Sequence, residues 1–118
     1  MIKPLDGIRV LDLTRLLPGA VATQWLASHG AEVIKIEEPL EGDHGRRLPE
    51  VFDATNRGKL SITLNLKEVA DRARLLLMAE AADILVEGNR PGVMARLGLS
   101  YEQMDPAADI RFLNRLWA

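Results

Sequence analysis

Residues 8–37, IRVLDLTRLLPGAVATQWLASHGAEVIKIE, decide the fold. The segment IRVLDLT (8–14) is apolar almost throughout, as expected of a strand buried on both faces. Pro18 then opens a helical stretch that runs to His29 and is closed by Gly30, proline suiting a helix start and glycine its end. EVIKIE, Glu32–Glu37, reads as a second strand. Two such strands joined by one helix form a parallel β-loop-α-β unit with a right-handed crossover. Its first loop, 15–19, lies at a helix start, where free N–H groups favour a phosphate or carbonyl oxygen.

The alternation resumes downstream. Residues 39–58 carry Gly42, Gly45, Pro49 and Gly58 among charges, with no apolar periodicity, and read as a long surface loop. LSITL (60–64) has strand composition. Asn65 and Glu68 give an N-x-x-E pattern that can cap a helix, and Val69, Ala73, Leu76 and Leu77 recur at helical spacing up to Ala81. ILV, Ile84–Val86, is a short strand. Pro91 and Gly98 bracket a short helix, Ser100 with Gln103 is a second capping-box pattern before Pro106, and 110–116 reads as a final strand. The chain is therefore expected to form one α/β lobe over 1–118, an open, Rossmann-like, mostly parallel sheet with helices on both faces. Ligands bind such sheets beyond the carboxyl ends of the strands. Loops 15–19, 38–45 and 87–92 are expected there.

Composition narrows the function. The 118 residues hold 15 basic and 17 acidic side chains, a formal net charge of −2, so no basic face calls for nucleic acid. There is no cysteine, which excludes disulfides, thiolate nucleophiles and zinc–sulfur sites and fits a cytoplasmic setting. No apolar run approaches the roughly 18 residues of a membrane span, and MIKPLDG has no apolar core of a secretory signal. Metal-ligand spacing is absent. Several residues invite two readings. Arg46, Arg47, Arg57 and Lys59 suit either nucleotide phosphates or a solvated surface. Asn89, Arg90 and Arg96 suit a phosphate site, through the planar donor fork of arginine, or a charged helix start. His29 is expected to cap the helix before Gly30, and Asp12 to be a hydrogen-bonded structural acid. His44 beside Asp43 has no partner spacing for acid-base work. Glu37 ends a strand where an acid can hold a ribose hydroxyl, yet the G-x-G-x-x-G of a nicotinamide site is missing.

The blocks PLDGIRVLDLT (4–14), GAEVIKIE (30–37), NRGKLSITLNLK (56–67), ADILVEGNRPG (82–92) and RLGLSYEQM (96–104) occur in an order and spacing that resembles the start of the family III CoA-transferases, which include the α-methylacyl-CoA racemases. The resemblance implies coenzyme A or an acyl-CoA thioester as ligand, no metal, and a homodimer. It implies CoA transfer between carboxylic acids through an aspartate nucleophile, or α-proton exchange in the racemase branch. By the same match, Leu17 and Pro18 would line the cofactor through backbone groups, and Asn65, Lys67, Asn89, Arg90 and Arg96 would address its nucleotide end. Two positions depart from the family pattern: Glu38 stands where arginine is common, and VEGNRPG replaces VENFRPG. The catalytic aspartate is expected beyond Ala118, so no catalytic residue is assigned within the chain. The ending IRFLNRLWA (110–118) reads as truncated or altered, and Leu113, Leu116 and Trp117 add apolar surface that favours association. Two other functions stand beside a cofactor-binding lobe that is inactive alone: a non-catalytic binding or oligomerisation module of the same descent, and a nicotinamide-dependent oxidoreductase domain.

Overall fold

The computed structural model describes residues 1–104 and, as backbone, the strand Arg111–Leu113. The elements are β1 (Arg9–Asp12), α1 (Gly19–Ser28), β2 (Glu32–Glu37), a 3-10 turn (His44–Arg47), α2 (Pro49–Asn56), β3 (Leu60–Thr63), α3 (Val69–Glu80), β4 (Ile84–Val86), α4 (Val93–Arg96) and β5 (Arg111–Leu113). The five strands form one sheet in the order β3-β2-β1-β4-β5, with every pairing parallel. The expected open, Rossmann-like sheet is what forms. The order reverses between β1 and β4, and that reversal leaves a crevice at the carboxyl ends of the strands.

Both faces of the sheet are covered. Leu11, Ile36 and Leu85 project to one side and pack with Leu75 and Ala79 of α3, Met94 of α4 and Leu99. Val10, Val33 and Val86 project to the other, against Leu26 and Ala27 of α1. Val10 and Leu11 are adjacent in β1 and both fully buried, which explains why this strand reads as a continuous apolar run. Truncating a fully buried leucine such as Leu85 or Leu75 typically costs about 2–5 kcal/mol.

Three expectations need correction. The interval 39–58 is not a continuous loop, because it holds the 3-10 turn and α2. Helix α2 is only eight residues long and fully buries none of them, so its pattern is too short to stand out, although Pro49 stands at its start. Asn65 and Glu68 do not form a capping box. Glu68 is the N-cap of α3 without a side-chain bond, while the Asn65 side chain turns back to accept from Lys67 N at 3.1 Å. Asp71 in the first turn of α3 accepts from Asn65 N at 2.8 Å instead. Pro91 precedes α4 rather than opening it, and Gly92 is its N-cap at φ 84°. The Ser100–Gln103 box does form both reciprocal bonds, at 3.0 and 3.3 Å, but over a turn. The expected strand over 110–116 is described only as β5, and the tail residues Leu116 and Trp117 lie outside the described residues.

Candidate functional site

An open cleft of about 670 Å3 lies at the carboxyl ends of β1, β2 and β3. Its wall includes Arg15, residues 36–38 and 40–44, the loop 64–67, and Asn89, Val93, Arg96 and Leu97. The three loops expected at this end of the sheet thus each contribute. Of the residues singled out in the sequence, Asn65, Lys67, Asn89 and Arg96 share this cleft. Leu17, Pro18 and Arg90 are not among its lining residues, and all three are exposed. Asn89 donates from its backbone to Glu87 at 2.8 Å, and its amide lies 3.3 Å from the Met94 sulfur. Lys67 and Arg96 are exposed and make no ion pair among the described residues, which leaves both cations available to an anion.

The opposite wall is acidic and already engaged. Glu37 is buried and takes a bidentate bond from Arg46, at 2.9 and 2.6 Å, with Ser61 donating at 2.6 Å and Asp43 N at 3.0 Å. The Arg46 guanidinium is the main reason its carboxyl is lowered from 4.5 to about 2, against the opposing effect of burial. Glu37 in turn raises Arg46. Glu38 accepts from the backbones of Glu41 and Gly42 and is lowered chiefly by the first. It therefore organises the turn at 38–42.

Beneath this wall, between the sheet and α1 with the 3-10 turn, are two buried ion pairs. Lys35 Nζ lies 2.7 Å from Asp43 and donates to the Thr14 carbonyl at 3.1 Å. Lys59 Nζ lies 3.2 Å from Asp12 and donates to the Ala20 carbonyl and to Asn56 at 3.1 and 2.7 Å. All four side chains are essentially without solvent contact. Burial pushes the Lys59 ammonium down against the Asp12 charge. For Asp43 burial pushes up, but Lys35 and the backbone N–H groups of Gly45 and Leu16 outweigh it, and the carboxyl ends below its ordinary value. Asp12 also accepts from Thr14 and Thr23, the structural role expected of it.

These contacts decide the ambiguous cations. Arg46, though half-exposed, binds Glu37 and stacks 4.3 Å over the Phe52 ring, and Lys59 is internal beside Asp12, so both cations are already engaged by the protein. His29 caps α1, its Nδ1 lying 2.8 Å from the Trp25 carbonyl and its ring 4.1 Å from the indole. His44 pairs with Glu41 at 2.9 Å. Glu37, the candidate ribose acid, has its oxygens occupied by protein donors. Lys35 and Asp43 were not singled out as a pair from the sequence. The available signal is that Lys35 shares the alternation of Val33 in a buried strand, where an ammonium demands a partner. Among the described residues, no group of acids and histidines is arranged to hold a metal ion, and no helix is long and apolar enough to cross a membrane.

A profile of CoA-transferase family III matches residues 5–108. The chain is 49% identical over 108 residues to the acetyl-CoA:oxalate CoA-transferase of Acetobacter aceti, covering 86% of this chain and 28% of that protein. It is 41% identical over 115 residues to the succinyl-CoA:glutarate CoA-transferase of Homo sapiens, covering 91% of this chain and 26% of the relative. The chain therefore spans little more than a quarter of the length of these relatives. The crystal structure of Rv3272 from Mycobacterium tuberculosis superposes with a TM-score of 0.89 at 38% identity, over 95% of this chain and 32% of that one.

Proposed function

The chain belongs to CoA-transferase family III, and from that premise we propose that its cleft binds the phosphorylated end of coenzyme A or an acyl-CoA. The observation that carries this reading is the pair of uncompensated cations, Lys67 and Arg96, on the wall of a cleft at the carboxyl ends of parallel strands. Arginine offers a planar fork and lysine a point charge, and together they can meet separate phosphates. Asn65 and Asn89 shape the wall between them. By the family match, Leu17 and Pro18 of the first loop would add backbone groups and Arg90 a further cation from outside the lining of the cleft, which the first loop reaches through Arg15.

The lobe supplies binding without turnover. Glu37 and Asp43 on the cleft wall have both carboxylate oxygens held by protein donors, whereas Glu38 and Glu41 are each held through one oxygen, by backbone N–H groups and by His44. In the complete enzyme class the reaction is movement of CoA between carboxylic acids, or α-proton exchange on an acyl-CoA, carried by groups outside this lobe. Association into a dimer and residence in the cytoplasm belong to the same reading.

Calorimetric titration of the chain with CoA and separately with NADH tests it. Heat with CoA and none with NADH is expected. Heat with NADH alone would overturn it in favour of a nicotinamide domain, and heat with neither would favour a non-catalytic assembly module. Acyl exchange between an acyl-CoA and a free carboxylate by the pure chain is expected to be undetectable.

A further inference from the structure

We propose that Asp43, held by the buried Lys35 ammonium, is the positioning residue that fixes the 15–19 loop in the shape offered to the cofactor. The proposal rests on the CoA reading above. It starts from Leu16, which has φ 59°, a left-handed conformation that side chains with a Cβ seldom adopt. Such outliers persist where the surroundings over-determine them. Here the Leu16 N–H donates to both Asp43 oxygens, at 3.0 and 3.2 Å. Asp43 Oδ1 also accepts from Gly45 N at 2.8 Å, so one carboxylate ties the first loop to the 3-10 turn. Lys35 completes the grip from below, bonding Asp43 and the Thr14 carbonyl immediately before the loop. Asp43 N donates to Glu37 at 3.0 Å, which carries the connection to the acidic wall of the cleft. Two loops that rim the cleft are thereby fixed to one point on β2.

Stability alone is a poor account of this arrangement. A buried ion pair is often no better than apolar residues of the same volume, because both charges lose their hydration. What the pair supplies is direction: a charge-assisted acceptor aimed at a backbone N–H in a strained loop. Preorganised loops bind more tightly because less ordering remains to be done on binding.

Two double variants separate shape from charge. In K35Q/D43N the Asn oxygen still accepts from Leu16 and Gly45, and the two amides can bond each other in place of the ion pair. In K35Q/D43A the acceptor is gone. CoA affinity by calorimetry and backbone amide exchange by NMR are read on the full chain. The expected result is a Leu16 amide that exchanges slowly in the wild type although its side chain is exposed. K35Q/D43N should keep CoA affinity within about threefold, and K35Q/D43A should lose about tenfold or more, with Leu16 exchanging freely while Val10 and Val33 stay protected. Wild-type affinity in K35Q/D43A with a freely exchanging Leu16 would overturn the proposal. If K35Q/D43A does not fold, a fast Leu16 amide in the folded wild type, or one unchanged in D43A alone, overturns it equally. Absence of CoA heat in the wild type would instead sink the cofactor reading, and the loop-holding role would then stand or fall on the Leu16 amide.

Discussion

Replacing Glu37 by Gln should produce a loss of stability that fades in acid. The carboxyl lies at about 2 in the fold against an ordinary 4.5. A tenfold change in a protonation equilibrium is worth about 1.4 kcal/mol, so the interval sets an upper limit of about 3 kcal/mol. The Arg46 partner is 48% exposed, and water and salt screen its half of the pair. The realised contribution is therefore about 1–2 kcal/mol. The sign follows from the lowered value. The stabilisation is fully present above pH 4.5 and is lost as pH falls towards 2, because the unfolded chain takes up the proton first. By pH 3 roughly half or more of it should be gone. Urea unfolding followed by circular dichroism at pH 7, 4.5 and 3 measures the difference between wild type and E37Q. Asp43, Glu38 and Asp71 are also lowered and steepen the acid response of both proteins alike, so the difference isolates Glu37. A gap as large at pH 3 as at pH 7 would refute the ionic origin of the effect and leave only a packing loss.

Lys67→Ala and Arg96→Ala should each weaken CoA roughly five- to twentyfold with unchanged melting, and the loss should shrink as salt rises, which calorimetry at two ionic strengths would show. Gly19→Ala should cost about 1–3 kcal/mol, since a Cβ there would come within 2.4 Å of the Thr14 Cβ, and thermal melting of the variant reads it. Lys59→Met should cost about 3 kcal/mol or more by stranding the Asp12 carboxylate in the interior, and Asp12→Asn in the same chain should recover part of that loss in urea titrations.

The sheet was legible because the central strands are rich in Val, Ile and Leu on both faces despite the buried Asp12, Lys35 and Glu37, and because proline and glycine mark the ends of the first helix. Lys67 was legible only through the resemblance of its block to the family, and Arg96 through its spacing from Asn89 and Arg90 after a predicted strand. The fates of Arg46 and Lys59 were not. Both look like surface cations in a polar stretch, and only the return of that stretch over α1 and β2 carries one inside to Asp12 and lays the other between Glu37 and Phe52. Helix α2 stayed hidden because its eight residues are too few, among charges and glycines, to stand out as a helical repeat. The Lys35–Asp43 pair joins residues in different elements, and a single sequence contains no record of that proximity.

The stack of Arg46 on Phe52 has a mechanical consequence. Helix α2 has no fully buried side chain of its own; it lies against α1 and the 3-10 turn, and its polar and ring contacts include this stack and the Asn56 bond to Lys59. A segment so lightly moored should peel away long before the sheet melts, so limited digestion would nick 49–56 first and leave a trimmed but still folded particle. The same detachment would uncover the Arg46 guanidinium on its aromatic side. The hem of the cleft would loosen there while its parallel strands stayed intact.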